Sequence, residues 1–340
     1  MIHINEKSRI PKYKQILRSV KNNIKTGNYK QGDKLPSINS LRQGLPVSRD
    51  TIIKAYKDLA SMGIINSVPG KGYYVSKTSS EIKNHVFLLF DIFLPYKKII
   101  YNSFLDKIGK DAMVDLFFHH YNLELYKKLI KESLGQYTDF VIMPIEGGDE
   151  LLEWFDNNFT EESVYILDVG INQYGRKYPS VCQNFNKQLY EGLSKGVRHI
   201  KKYDQLIFKY PSSLSKYTEG REKEMVAGCE KFCIDNKIDF MIINDIESFE
   251  VKEKQCFYVP NDRDLVCLVQ KARTKNLCLC EDIGIISHNE TPLKSIICMN
   301  GVATITSDFV TMGEKMAEMV INSNEGHIEC PTSLIYRKSF

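Results

Sequence analysis

The chain has 340 residues, is 43% hydrophobic and 26% charged, and carries a formal net charge of +4. That length implies two or three domains with real cores. No window reaches the ~18 apolar residues of a membrane span, and the polar, basic stretch from Met1 to Arg18 lacks the apolar core of a signal peptide. A soluble cytoplasmic protein is expected.

Its nine cysteines show neither disulfide-framework nor zinc-ligand spacing. They are expected to be small buried side chains, with Cys278 and Cys280 as alternate residues of a strand and Cys229 and Cys233 on one helix face. No metal or cofactor is expected. The charge is uneven: residues 1–75 hold 14 Lys and Arg against 4 Asp and Glu, and the remainder holds 32 against 38. A basic head on a mildly acidic body fits a polyanionic partner. A merely solvated basic face is the plain alternative.

Along the chain, Tyr13, Ile16, Leu17, Val20 and Ile24 repeat with helical spacing, Pro11 suits the first turn, and Gly27 can stop the helix. Ser37 is placed to cap a second helix bearing Ile38, Leu41 and Leu45. Ser48 is placed to cap a third, with Ile52, Ala55, Tyr56 and Leu59 inward. Two short helices about a tight turn make a helix-turn-helix. Its second helix would present Arg49, Asp50, Thr51, Ile53 and Lys54 to a major groove, Arg49 to guanine and Lys54 and Lys57 to phosphates. Ile64 to Val68 and Tyr73 to Val75 flank Pro69-Gly70-Lys71-Gly72 as a hairpin with a thin basic tip.

These pieces in register resemble the winged-helix domain of GntR-type bacterial regulators. The matching strings are Gly27-x-Tyr29-x-x-Gly32-Asp33-Lys34-Leu35-Pro36-Ser37, Val47-Ser48-Arg49-Asp50-Thr51-Ile52, Ala55-x-x-x-Leu59, Gly63-Ile64-Ile65 and Gly70-Lys71-Gly72-Tyr73-Tyr74-Val75. The resemblance implies operator contacts from Arg49 and Thr51 and a wing tip at Gly70 and Lys71; Ser37, Asn39, Ser48 and Lys54 complete the expected DNA-contacting set. Asn39 stands where the family often has Arg, and Ile53 where it has a basic residue.

The expected domains are a winged-helix head over 1–76, a linker over 77–84 and a body over 85–340. In the body, apolar runs at 85–90, 113–118, 140–143, 164–167, 205–208, 240–243, 256–259 and 283–287 alternate with amphipathic stretches such as 123–134 and 188–200. This alternation predicts an α/β body of two lobes with parallel sheets, binding ligand beyond the carboxyl ends of its strands.

Several motifs carry a second resemblance. They are Val181-x-x-Asn184 with Gly196-x-x-x-Ile200, Phe257 to Asp262, Ile285 to Pro292, Thr304-Ile305 and Met312-Gly313. They resemble the effector domain of LacI-type regulators and the periplasmic sugar-binding proteins, giving an arabinose-repressor-like layout. The resemblance implies effector contacts at Asn184, Asp262 and Asn289, with Phe93, Tyr96 and Tyr121 as aromatics against a sugar ring. The arginine usual in that family falls at Met225, and Arg221 stands one turn earlier. Each Asx also has a plain reading as a turn cap, and each aromatic as core. His119 and His120 end a strand and could line the cleft.

The expected partners are double-stranded operator DNA, a monosaccharide such as a pentose or 6-deoxyhexose (arabinose or fucose), and a second copy of the chain. A repressor is expected. An enzymatic body behind a DNA-binding head, or a sugar carrier without a regulatory role, are the alternatives. No P-loop or His-Glu-x-x-His string appears in the sequence.

Overall fold

Apolar spacing decides the head. In a computed structural model, which describes residues 2–6, 11–76, 84–159, 162–175, 177–211, 216–297 and 301–340, α1 (Lys12–Lys25) buries Ile16, Leu17, Val20 and Ile24. They pack on α2 (Ile38–Gly44) and α3 (Arg49–Ser61), whose Leu41, Ile52, Ala55, Tyr56 and Leu59 complete one core. The Tyr56 hydroxyl donates to Pro36 O at 2.8 Å, fixing α3 against the start of α2. Strands β1 (Ile65–Val68) and β2 (Gly72–Val75) form the antiparallel wing. Gly70 turns it at φ 73°, a conformation that costs a residue with a Cβ about 1–2 kcal/mol. The expected linker lies outside the described residues except at its end.

The N-lobe follows with β3 (His85–Phe90), α4 (Pro95–Ile108), β4 (Met113–Phe118), α5 (Leu123–Ser133), β5 (Asp139–Ile142), α6 (Asp149–Asn158), β6 (Ser163–Asp168) and β7 (Ser180–Cys182). The C-lobe holds α7 (Phe185–Lys195), α8 (Val197–Ile200), β8 (Gln205–Lys209), α9 (Glu219–Asn236), β9 (Asp239–Ile243), β10 (Gln255–Val259), α10 (Asp262–Thr274), β11 (Ile283–His288), α11 (Pro292–Ile296) and β12 (Ala303–Ser307). The chain then returns through α12 (Phe309–Asn322), which packs on α4, and β13 (His327–Glu329), before β14 (Thr332–Ile335) rejoins the C-lobe.

The sheets run β13-β7-β6-β5-β3-β4 and β14-β12-β11-β10-β8-β9. All their pairings are parallel except β12 with β14. Central strands such as β3, β5 and β10 are apolar on both faces because helices cover both, as parallel sheets require. This is the α/β two-lobed architecture expected from the alternation. The chain passes between lobes after β7, after β12 and between β13 and β14. Gly228 lets α9 lie against α7, since a Cβ there would stand 2.2 Å from Asn186 O.

Cys229 and Cys233 are buried on α9 as expected. Cys278 and Cys280 are not strand residues. They lie in the turn before β11, Cys278 exposed and Cys280 at φ 72°, because Asp282 Oδ2 accepts from Cys278 N and closes the turn.

The head contacts the N-lobe through α1. Lys14 Nζ donates to Glu132 O, Lys21 Nζ donates to Gln136 O at 3.4 Å, and Arg18 pairs with Glu162 at 3.3 Å.

Candidate nucleic-acid interface and ligand cleft

On the head, Ser37 Oγ accepts from Ser40 N at 3.1 Å and Ser48 Oγ accepts from Thr51 N at 3.2 Å, so both hydroxyls cap their helices. Thr51 Oγ1 lies 2.8 Å from Ser48 Oγ, which anchors the first turn of α3. Arg49 is exposed beside that cap, and Asn39, Gly70 and Lys71 are exposed on α2 and the wing. Lys54 is exposed with its Nζ 3.9 Å from the centre of the Tyr13 ring. Capping fixes the helix end from which Arg49 projects, and a guanidinium so placed can reach a base edge.

In the body, the carboxyl ends of β3, β8, β10 and β11 face a cleft of about 610 Å³ between the lobes. Behind its N-lobe lining of Tyr96 and Tyr121 lies a buried charged network. Asp91, directly after β3, is buried and paired with Lys97 on the first turn of α4. The Tyr121 hydroxyl donates to Asp91 Oδ2 at 2.7 Å, and the Tyr96 hydroxyl to Asp168 Oδ2 at 3.3 Å. Lys97 Nζ is also 3.8 Å from Asp168, and Gln183 Nε2 donates to Asp168 Oδ1 at 2.6 Å. Burial alone would raise the Asp91 carboxyl. The charges of Lys97 and Arg221, with hydrogen bonds from Lys97 and Tyr121, outweigh it and hold Asp91 below the usual range. At Asp168 burial wins over Lys97, and the carboxyl is raised.

The C-lobe wall carries its own pairs. Lys209, last residue of β8, bonds Asp264 at 2.8 Å and Tyr210 O at 2.7 Å. Asn261 caps α10 by accepting from Asp264 N at 2.8 Å and orients the Asp264 carboxylate through its amide at 2.5 Å. His288 Nδ1 and the Tyr258 hydroxyl are hydrogen-bonded at 2.7 Å. Burial, then Lys294, lowers the His288 pKa to about 3, so the ring is neutral. Asn289 turns in the left-handed region at φ 57°, and its buried Oδ1 has no hydrogen-bond partner among the described residues.

Of the ligand residues expected from sequence, the cleft brings together Tyr96, Tyr121, Arg221 and Asn289. The helix α9 begins at Glu219, so Arg221 sits in its first turn and lines the cleft with Met225. Asn184, Asp262 and Phe93 are not in the lining. Asn184 Oδ1 caps α7 by accepting from Lys187 N at 3.2 Å. Asp262, one residue past the α10 cap, pairs with buried Lys294 at 3.2 Å. Phe93 is half exposed and packs edge-on against Phe118. His119 is buried in the N-lobe, its Nδ1 accepting from Tyr121 N at 3.1 Å and its Nε2 lying 3.1 Å from Met143 O. Lys209, Asn261, Asp264 and His288, which sequence reasoning did not assign, line the C-lobe side. A charged residue ending an apolar strand was the available signal for Lys209.

Comparison with known proteins agrees with this division. Residues 12–75 match the family of bacterial regulatory proteins, gntR family. The HTH-type transcriptional repressor YtrA of Bacillus subtilis is 39% identical over 79 residues, 23% of this chain and 61% of the relative. The HTH-type transcriptional repressor NagR of the same organism is 34% identical over 80 residues, 24% of this chain and 33% of the relative. These sequence matches thus span under two thirds of either relative. Among solved structures, a dimeric Lac repressor with a C-terminal deletion aligns with TM-score 0.62 and 16% identity over 75% of this chain and 97% of its own. The regulator CcpA of Lactococcus lactis aligns with TM-score 0.58 and 14% identity over 76% of this chain and 99% of its own. Residues 12–75 are a winged-helix domain of the gntR family, and the body behind them has the two-lobed fold of LacI-type regulators.

Proposed function

We propose that this protein is a transcriptional regulator that binds operator DNA through the winged head and a monosaccharide through the interlobe cleft. The carrying observation is the joining of the two sites. A capped α3 presenting Arg49 belongs to one chain with a polar cleft at the strand ends of a two-lobed body. Such clefts hold ligands by a few fixed polar groups. The hydroxyl-rich chemistry of a sugar suits Asn289 Oδ1, Arg221, Tyr121 and the Lys209–Asp264 pair.

The protein acts as a repressor dimer in the cytoplasm and performs no catalytic step. Two heads on two half-sites multiply effective concentration. The effector must favour the state that leaves DNA, since equal affinity for both states shifts nothing. A pentose or 6-deoxyhexose is the preferred effector class. Melting temperatures of the full chain against a monosaccharide panel including arabinose and fucose test this reading, because a ligand selective for the folded state raises them. No shift with any sugar contradicts it.

A further inference from the structure

Helix α9 belongs to the C-lobe by its packing on α7, β8 and β9, yet its first turns hold the N-lobe. Arg221 Nη2 donates to the Tyr121 hydroxyl at 3.2 Å. Its Nη1 lies 3.8 Å from Asp91 Oδ2 and its Nε 3.6 Å from Glu146 Oε2. The guanidinium also stands 5.6 Å from the centre of the Tyr121 ring. One turn further on, Asn172 of the N-lobe donates to Glu224 Oε1 at 2.5 Å.

The Arg221 side chain is 14% exposed, so these attractions are only partly screened. Neither carboxylate is within hydrogen-bond distance. Arg221 Nε and Glu146 Oε2 are buried without a hydrogen-bond partner among the described residues. The guanidinium is therefore held across the cleft by charge and by one tyrosine, while part of its donor fork is unspent. A buried donor left unsatisfied is unfavourable, which keeps this interlobe contact labile.

We propose that Arg221 is an interlobe latch, drawing the two lobes together before any effector arrives. This latch stands whether or not the cleft is the effector site. Tyr121 and Asp91 stay with the N-lobe when the latch opens, because they bond each other.

The test uses the sugar-free, full-length protein. Arg221→Met keeps the aliphatic stem and removes the charge; Tyr121→Phe removes one hydroxyl from an otherwise retained ring. Solution scattering and amide hydrogen exchange are compared with wild type. The latch predicts a larger radius of gyration for R221M and several-fold faster exchange at 119–122 and 219–225, with a smaller change in the same direction for Y121F. Wild-type scattering and exchange in a folded R221M overturn it. If R221M does not fold, unchanged exchange at both segments in Y121F overturns it. A wild type that ignores every sugar while R221M opens keeps the latch and removes the effector reading; the reverse result keeps the effector and removes the latch.

Discussion

Lys209 Nζ lies 2.8 Å from Asp264 Oδ2 in the C-lobe wall of the cleft, with the lysine side chain 1% exposed and the aspartate 15%. The last residue of a strand and the first turn of a following helix are thus joined by an ion pair that water barely reaches. Removing one partner leaves a buried charge uncompensated. Lys209→Met is expected to lower the unfolding free energy by about 3 kcal/mol, read from chemical denaturation. The double variant K209M/D264L recovers part of that loss. Equal stability of K209M and wild type would show the pair to be solvated.

The head separates reading from holding. Arg49→Ala is expected to relax operator choice by about 1–3 kcal/mol if the guanidinium is bidentate to guanine. Lys71→Ala, at the wing tip, is expected to weaken all duplexes alike and reduce the salt slope by about 1. Titrations of cognate and scrambled duplexes at several salt concentrations check both. A sequence-selective effect of K71A, or none from R49A, would reverse the assignment.

The wing turn isolates a purely torsional effect. A Cβ at Gly70 meets no heavy atom within 4 Å, so only its φ of 73° opposes a side chain. Gly70→Ala is expected to cost about 1–2 kcal/mol in head stability, seen in calorimetry as a lower head transition with the body unchanged. A neutral substitution would mean that the turn relaxes freely.

Acid sensitivity follows from two buried histidines. Burial lowers His119 to about 4 and His288 to about 3, with Asp91 opposing the shift at His119 and Lys294 adding to it at His288. Below the ordinary histidine pKa of about 6.5 the unfolded chain takes up these protons and the folded chain does not. Their contribution is therefore complete above that value and lost as pH falls toward their folded values. Glu146 runs the other way. Burial raises it to about 7 against the pull of Arg221, so its contribution is complete below its ordinary value and lost as pH rises through about 7. Between pH 6.5 and 4.5 the two histidines make stability fall on acidification, while the raised carboxyls of Glu146 and Asp168 oppose them. In a His119→Gln/His288→Gln variant stability across that window should fall less on acidification than in wild type, by up to about 1.4 kcal/mol per pH unit for each histidine. An unchanged slope would locate the titration elsewhere.

Local chemistry made most of the fold legible. Ser37 and Ser48 cap as their spacing requires, Gly70 turns the wing, and the apolar runs of the body become strands because parallel sheets bury both faces. The cleft was less legible. An Asx residue between strand and helix can either cap or bind, and spacing does not distinguish the two. Asn184 spends its oxygen on Lys187 N, while Asn289, with no helix directly behind it, keeps Oδ1 unspent. At α10 the expected contact fell on Asp262, but Asn261 takes the cap and the next residue turns to Lys294. Arg221 reaches the cleft because α9 starts at Glu219, a boundary that a 3.6-residue period does not fix. Asp91 and Lys97 went unassigned because their pairing depends on how α4 leaves the strand end.

The most direct measurement is anisotropy of the full chain with a duplex selected from random sequence, at low and moderate salt, before and after adding each monosaccharide. The account predicts sequence-selective binding that weakens with salt, and release of that duplex by at least one sugar that also raises the melting temperature. Indifference to duplex sequence at low salt, or a DNA complex that no stabilising sugar disturbs, would contradict it.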